Sequence, residues 1–167
     1  MGRLGRSIPV ERDFEVFYRG ESRALLGLCF LATLNREAAA DATQEAMARA
    51  WKHWSDISEP NPRAWVRVVA LNLCRSRWRQ IARQTRLLPR MYTLDETLPV
   101  LRNHDLYAAL RRLPPRQREA IALHYFADLP IAECARVMGL SVGAVKSHLA
   151  RGRDHLATDA AIREELV

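Results

Sequence analysis

Two prolines, a glycine and a serine set the frame for the whole chain. Pro114 and Pro115 follow Leu113, and proline fits the first turn of a helix, where its missing N–H would have had no partner. The spacing predicts a helix over 115–126. Asp128, Leu129 and Pro130 interrupt it, and Ile131, Cys134, Ala135 and Met138 then recur at intervals of three and four, as in an amphipathic helix. Gly139 supplies the left-handed backbone that ends such a helix in a tight turn. Ser141 is a competent N-cap for a last helix whose apolar stripe is Val142, Val145 and Leu149, with Lys146, Ser147, His148 and Arg151 elsewhere on its circumference. Small Ala135 at a helix crossing, a glycine turn and a cationic helix opened by serine read as a helix-turn-helix. Its outward side fits a DNA groove. A helical hairpin with a solvated basic face is the plainer account, and the other residues must decide.

The 167 residues carry a formal charge of +7 and an isoelectric point near 10.0, which suits a polyanionic partner. Lys52 and Lys146 are the lysines; every other fixed cation is arginine, whose planar fork matches phosphate and guanine edges. Codon bias in a GC-rich genome would produce the same excess. Cys29, Cys74 and Cys134 are far apart in sequence, lack zinc-site spacing, and are expected as reduced core residues. His53, His104, His124, His148 and His155 are scattered, with no partner spacing for a metal or a nucleophile, and no glycine-rich phosphate loop occurs. Neither catalysis nor a cofactor is expected. No apolar run is long enough to cross a bilayer and no signal peptide opens the chain, so membrane insertion is not expected and the cytoplasm is the expected location.

In chain order, residues 1–9 read as a loose leader. A helix from Val10 carries the stripe Phe14, Phe17, Tyr18, Leu25, Leu28, Cys29 and Ala32, up to Asn35. The next, about 37–54, buries Ala39, Ala42, Thr43, Ala46, Ala50, Trp51 and Trp54, while Asp41, Gln44 and Glu45 share a neighbouring side. On spacing alone a solvated face explains those three. A loop follows over 53–63. Asn61 caps, and Pro62 opens, a helix to Gln84 with Val66, Val69, Ala70 and Leu73 inward and a polar stripe of Asn72, Ser76, Arg79 and Arg83, with Arg75 beside it.

Between Glu59 and Asp95 there is no acidic residue, yet Arg63, Arg67, Arg75, Arg77, Arg79, Arg83, Arg86 and Arg90 lie there. Solvated helix faces normally mix signs, because like charges repel. A bound phosphate backbone would relieve that repulsion. Trp65 and Trp78 offer flat faces for an unstacked base, although core positions are commoner for tryptophan. Periodicity fails over 85–104, the expected linker, and a short helix over 105–112 feeds the helix-turn-helix, which extends to about residue 157. The chain is therefore expected to be all-α. An N-terminal helical bundle (10–84) and a C-terminal four-helix domain (105–157) are joined by the linker.

Four segments in this order resemble the two-domain bacterial sigma factors of the extracytoplasmic-function type, related to sigma-70: Asp41 to Trp51, Pro62 to Asn72, Leu113 to Glu119, and Val142 to Arg151. The resemblance covers about 10–156. It implies a subunit that binds core RNA polymerase, directs it to promoters and helps melt them, without a cofactor, and that is held in check by an anti-sigma partner. It implies that Asp41, Gln44 and Glu45 contact core polymerase. Asn72, Ser76, Arg75, Arg77, Arg79 and Arg83 would face the proximal promoter element, where a flipped base is held partly by the loop over 55–61. Lys146, Ser147, His148 and Arg151 would read the distal element in the major groove, with Arg116 and Arg118 on flanking backbone. Two positions depart from the family pattern. Ser76 stands where an aspartate is usual, and Pro130 where a serine or threonine cap is frequent, a loss of about 1 kcal/mol if nothing replaces it. A free-standing regulator of the response-regulator output type shares the helix-turn-helix unit but needs a strand-and-helix N-terminal half. A nonspecific RNA-binding scaffold would have no use for Asp41, Gln44 and Glu45.

Overall fold

The structure, a computed structural model, describes residues 10–58, 61–84 and 104–164, with side chains at 78, 81–84, 104 and 159–164 outside that description. The leader over 1–9 and nearly all of the expected linker also lie outside it. Among the described residues there are eight α-helices: α1 (Val10–Thr33), α2 (Arg36–Lys52), α3 (Trp54–Ile57), α4 (Pro62–Gln84), α5 (His104–Arg112), α6 (Pro115–Ile121), α7 (Ile131–Met138) and α8 (Val142–Glu164). There is no strand among the described residues, which removes the N-terminal half that a response-regulator reading requires.

Helices α1, α2 and α4 form the first unit. One face of α2 is nearly all alanine: Ala39, Ala42, Ala46 and Ala50 are fully buried, and such short side chains let three helix axes approach closely. Leu28, Cys29, Val66, Leu71 and Cys74 fill the space between them. Asn35 Oδ1 accepts from Ala38 N at 2.9 Å and Asn61 Oδ1 from Ala64 N at 3.0 Å, so both following helices begin on side-chain caps. Helix α3 lies inside the stretch expected to be a loop. Trp54 and Ile57 pin it, with Phe14 and Phe17 packing on the Trp54 ring at centroid distances of 5.1 and 4.9 Å. Trp51, expected inside, is 44% exposed.

In the second unit α6 runs into a π-helical turn (Ala122–Phe126), closed by Ala127 N donating to Ala122 O at 2.9 Å. Asp128 then takes a left-handed φ of 51° and turns the chain into α7. Pro130 leaves α7 without a side-chain cap. Gly139, at φ 65°, ends α7, with Leu140 N returning to Ala135 O at 3.0 Å. Ser141 Oγ accepts from Ala144 N at 3.1 Å and opens α8. Val145 and Leu149 are buried as expected, whereas Val142 is 43% exposed.

Gly152 is where α8 crosses α6: an added Cβ would meet Ile121 Cγ1 at 3.1 Å. Gly152→Ala should be nearly neutral, because the helix-propensity gain offsets a small shift of Ile121. Gly152→Leu should cost about 1–3 kcal/mol from overpacking, read as a lower urea midpoint with an unchanged slope.

The two units meet directly. Buried residues of α1, α2 and α4 continue into those of α6, α7 and α8 as one hydrophobic cluster, and Phe30 of α1 stacks on Tyr107 of α5 at 6.1 Å.

Candidate polymerase and promoter surfaces

Three surfaces carry the residues singled out from sequence. On α2, Gln44 is exposed and Asp41 and Glu45 are partly exposed, along one side of the helix. Glu45 pairs with Arg49 at 2.7 Å, and Asp41 accepts from Arg77 Nη1 of α4 at 2.5 Å. The acidic face of α2 and the basic stripe of α4 therefore adjoin. On α4, Asn72, Ser76 and Arg79 are exposed, and Arg79 Nε donates to Arg75 O at 3.4 Å. The side chains of Arg83 and Trp78 fall outside the described residues, while Trp65 is half-buried beside His53, with ring centroids 6.1 Å apart. On α8, Lys146, Ser147 and Arg151 are exposed and His148 is half-buried, above the buried Val145 and Leu149.

Two arginines are not where a surface reading puts them. Arg75 turns from the α4 stripe toward α6, donating to both carboxylate oxygens of the buried Glu119 and, through Nη1, to Asn72 Oδ1 at 2.7 Å. Arg118, expected on DNA backbone, is 3% exposed. Its guanidinium donates to Ala32 O at 3.1 Å, Leu113 O at 3.2 Å and Leu110 O at 3.4 Å, while its buried Nε has no hydrogen-bond partner. In this arrangement it cannot reach a phosphate, because the C-terminal end of α1 covers it. Burial lowers its pKa to about 10, which costs the packed arrangement roughly 3 kcal/mol at neutral pH. The sign follows from charge: the penalty stands while the group is protonated and is relieved only as pH rises beyond that value. Arg116 keeps a partly exposed side chain, bonded to Glu119 Oε2 at 3.2 Å.

The cysteines are free and buried, and Cys29 and Cys74, distant in sequence, are neighbours between α1 and α4. The neighbouring Cys29 thiol, and burial after it, push the Cys74 thiol well above its usual range. Burial likewise raises Cys134. Among the described residues no group of histidine, cysteine or carboxylate side chains could hold a metal ion, and no helix is long and apolar enough to cross a membrane.

An acidic helix face, a basic helix and a helix-turn-helix in this order match known proteins. Residues 17–84 match the model of sigma-70 region 2, and residues 103–156 that of sigma-70 region 4. The ECF RNA polymerase sigma factor SigM of Mycobacterium tuberculosis is 33% identical over 147 residues, covering 86% of this chain and 75% of its own. The RNA polymerase sigma-E factor of Streptomyces coelicolor is 30% identical over 159 residues, covering 93% and 86%. Among solved structures, the sigma factor RpoE of Bartonella quintana, crystallised with the anti-sigma factor NepR, superposes with a TM-score of 0.73 at 22% identity, over 90% of this chain and 98% of that one. CnrH, solved with the cytosolic domain of CnrY, gives 0.64 at 25% identity, over 89% and 87%. The fold is that of the helical proteins built from sigma-70 regions 2 and 4. Within that class the chain belongs to the extracytoplasmic-function RNA polymerase sigma factors, initiation factors that direct RNA polymerase to promoters.

Proposed function

We propose a division of labour along the chain. Residues 10–84 bind core polymerase and the proximal element, 85–104 link, and 105–157 read the distal element. Asp41, Gln44 and Glu45 are the core-polymerase contacts. The observation that carries this is their placement on one accessible side of α2, while the alanines of the same helix take up its packing. Asn72, Ser76, Arg75, Arg77, Arg79 and Arg83 hold the separated proximal element by its phosphates, with the segment over 55–61, which begins within α3, receiving a flipped base. Lys146, Ser147, His148 and Arg151 contact base edges and backbone of the distal element. Exposed Val142, four residues before Lys146, adds an apolar contact of the kind that recognises a thymine methyl. Arg116 contacts flanking phosphate, and Arg118 does so only once the two units part.

The protein works in the cytoplasm with polymerase, performs no chemistry of its own and needs no cofactor. An anti-sigma partner restrains it; the likeness to CnrH, solved with the cytosolic domain of CnrY, supports that reading. Reconstitution tests the whole. Core polymerase with this chain should initiate at discrete sites on fragmented genomic DNA where core alone does not. Initiation indistinguishable from core alone would overturn the proposal.

A further inference from the structure

Arg75 is offered to DNA by its helix and is already occupied. Glu119 presents two carboxylate oxygens to the guanidinium fork, the geometry that a phosphate also presents. We propose that Glu119 is an internal phosphate mimic: it closes the second unit onto α4, withholds Arg75 from the proximal promoter element, and is displaced by single-stranded DNA. This rests on the reading of Arg75 as a DNA-contacting residue.

The surroundings favour a latch over a permanent joint. Glu119 also pairs with Arg116 at 3.2 Å, three residues away on its own helix, so opening does not orphan the carboxylate. Arg118 loses only the bond to Ala32 O on opening and keeps the Leu110 and Leu113 carbonyls of its own unit. Closure buries that guanidinium with one nitrogen unpartnered, a burden that opening relieves. Apolar contact, including the stack of Phe30 on Tyr107, works in the other direction. Each state thus has its own compensation, as a two-state element requires. Lys146, Ser147 and Arg151 stay exposed in the closed form, so the latch withholds the proximal contact and leaves the distal reading face open.

The test uses the full chain with spin labels on Ala24→Cys and Ala157→Cys, both exposed positions, the native thiols being buried. The probe is a mixed-sequence single strand of about 20 nucleotides, because phosphate contacts are insensitive to sequence. Saturating DNA should lengthen the inter-label distance in the otherwise unaltered chain, since a ligand of the open form shifts the equilibrium toward it. Glu119→Gln, which keeps shape and removes charge, should lengthen it without DNA and tighten binding about threefold to tenfold. Labels that stay close in both experiments overturn the latch and leave the reading of Arg75 intact. Labels that part in Glu119→Gln with affinity unchanged overturn the mimicry by showing that Arg75 does not hold phosphate. Should Glu119→Gln fail to fold by circular dichroism, the DNA titration decides alone, and a constant distance at saturation overturns the proposal.

Discussion

The triple variant Asp41→Lys, Gln44→Ala, Glu45→Lys is expected to lose co-elution with core RNA polymerase while remaining folded. In the free chain these residues have local partners, Arg77 for Asp41 and Arg49 for Glu45, and both pairs are partly exposed. Exposed pairs contribute about 0–1 kcal/mol, so breaking two of them leaves the helical content and the urea midpoint close to the parent's. At an interface the same charges, desolvated and faced by a complementary surface, are worth about 2–5 kcal/mol each when reversed. Affinity for core should therefore fall by at least about 100-fold. Binding to single-stranded DNA should not fall, since Arg77 is freed from Asp41. Co-elution of the variant at the parent's level would remove these residues from the core-binding surface.

The second large effect is expected on α8. Lys146→Ala with Arg151→Ala should reduce initiation at a promoter bearing both elements by about 100-fold, at about 1–3 kcal/mol for each lost base-edge or phosphate contact. Folding should not respond, because Val145 and Leu149 carry the packing of that helix and neither substitution touches them. Core binding should be unchanged, and the dependence of promoter binding on salt should become shallower by about one unit per phosphate contact removed. A variant that retains full initiation and the parent's salt dependence would show that α8 does not read the distal element.

Much of this molecule was legible from local chemistry. Pro62 and Gln84 bound α4 in the structure as the sequence predicts, with Asn61 as the cap. Ile131–Met138, the left-handed Gly139 and the Ser141 cap also lie where propensity places them. Each of those features is decided within a few residues. Failures came at the margins of that logic. Trp51 and Val142 sit at helical positions consistent with burial, yet no neighbouring element covers either fully. Helix α3 forms within a polar, proline-containing stretch because Phe14 and Phe17 arrive from α1 to hold Trp54. No local pattern reports that arrival.

The same division runs through the functional surfaces. Periodicity determined that Asp41, Gln44 and Glu45 share one side of a helix, and composition that the region between Glu59 and Asp95 carries charge of a single sign. Tertiary structure decided which cations are free. Arg118 looks like any surface arginine of an amphipathic helix until Ala32, 86 residues earlier, brings its carbonyl within 3.1 Å. Arg75 looks like part of a DNA-facing stripe until Glu119, 44 residues later, takes hold of it. A helical repeat specifies neighbours three and four positions apart, and side chains that meet across such separations do so only because the helices carrying them pack against one another.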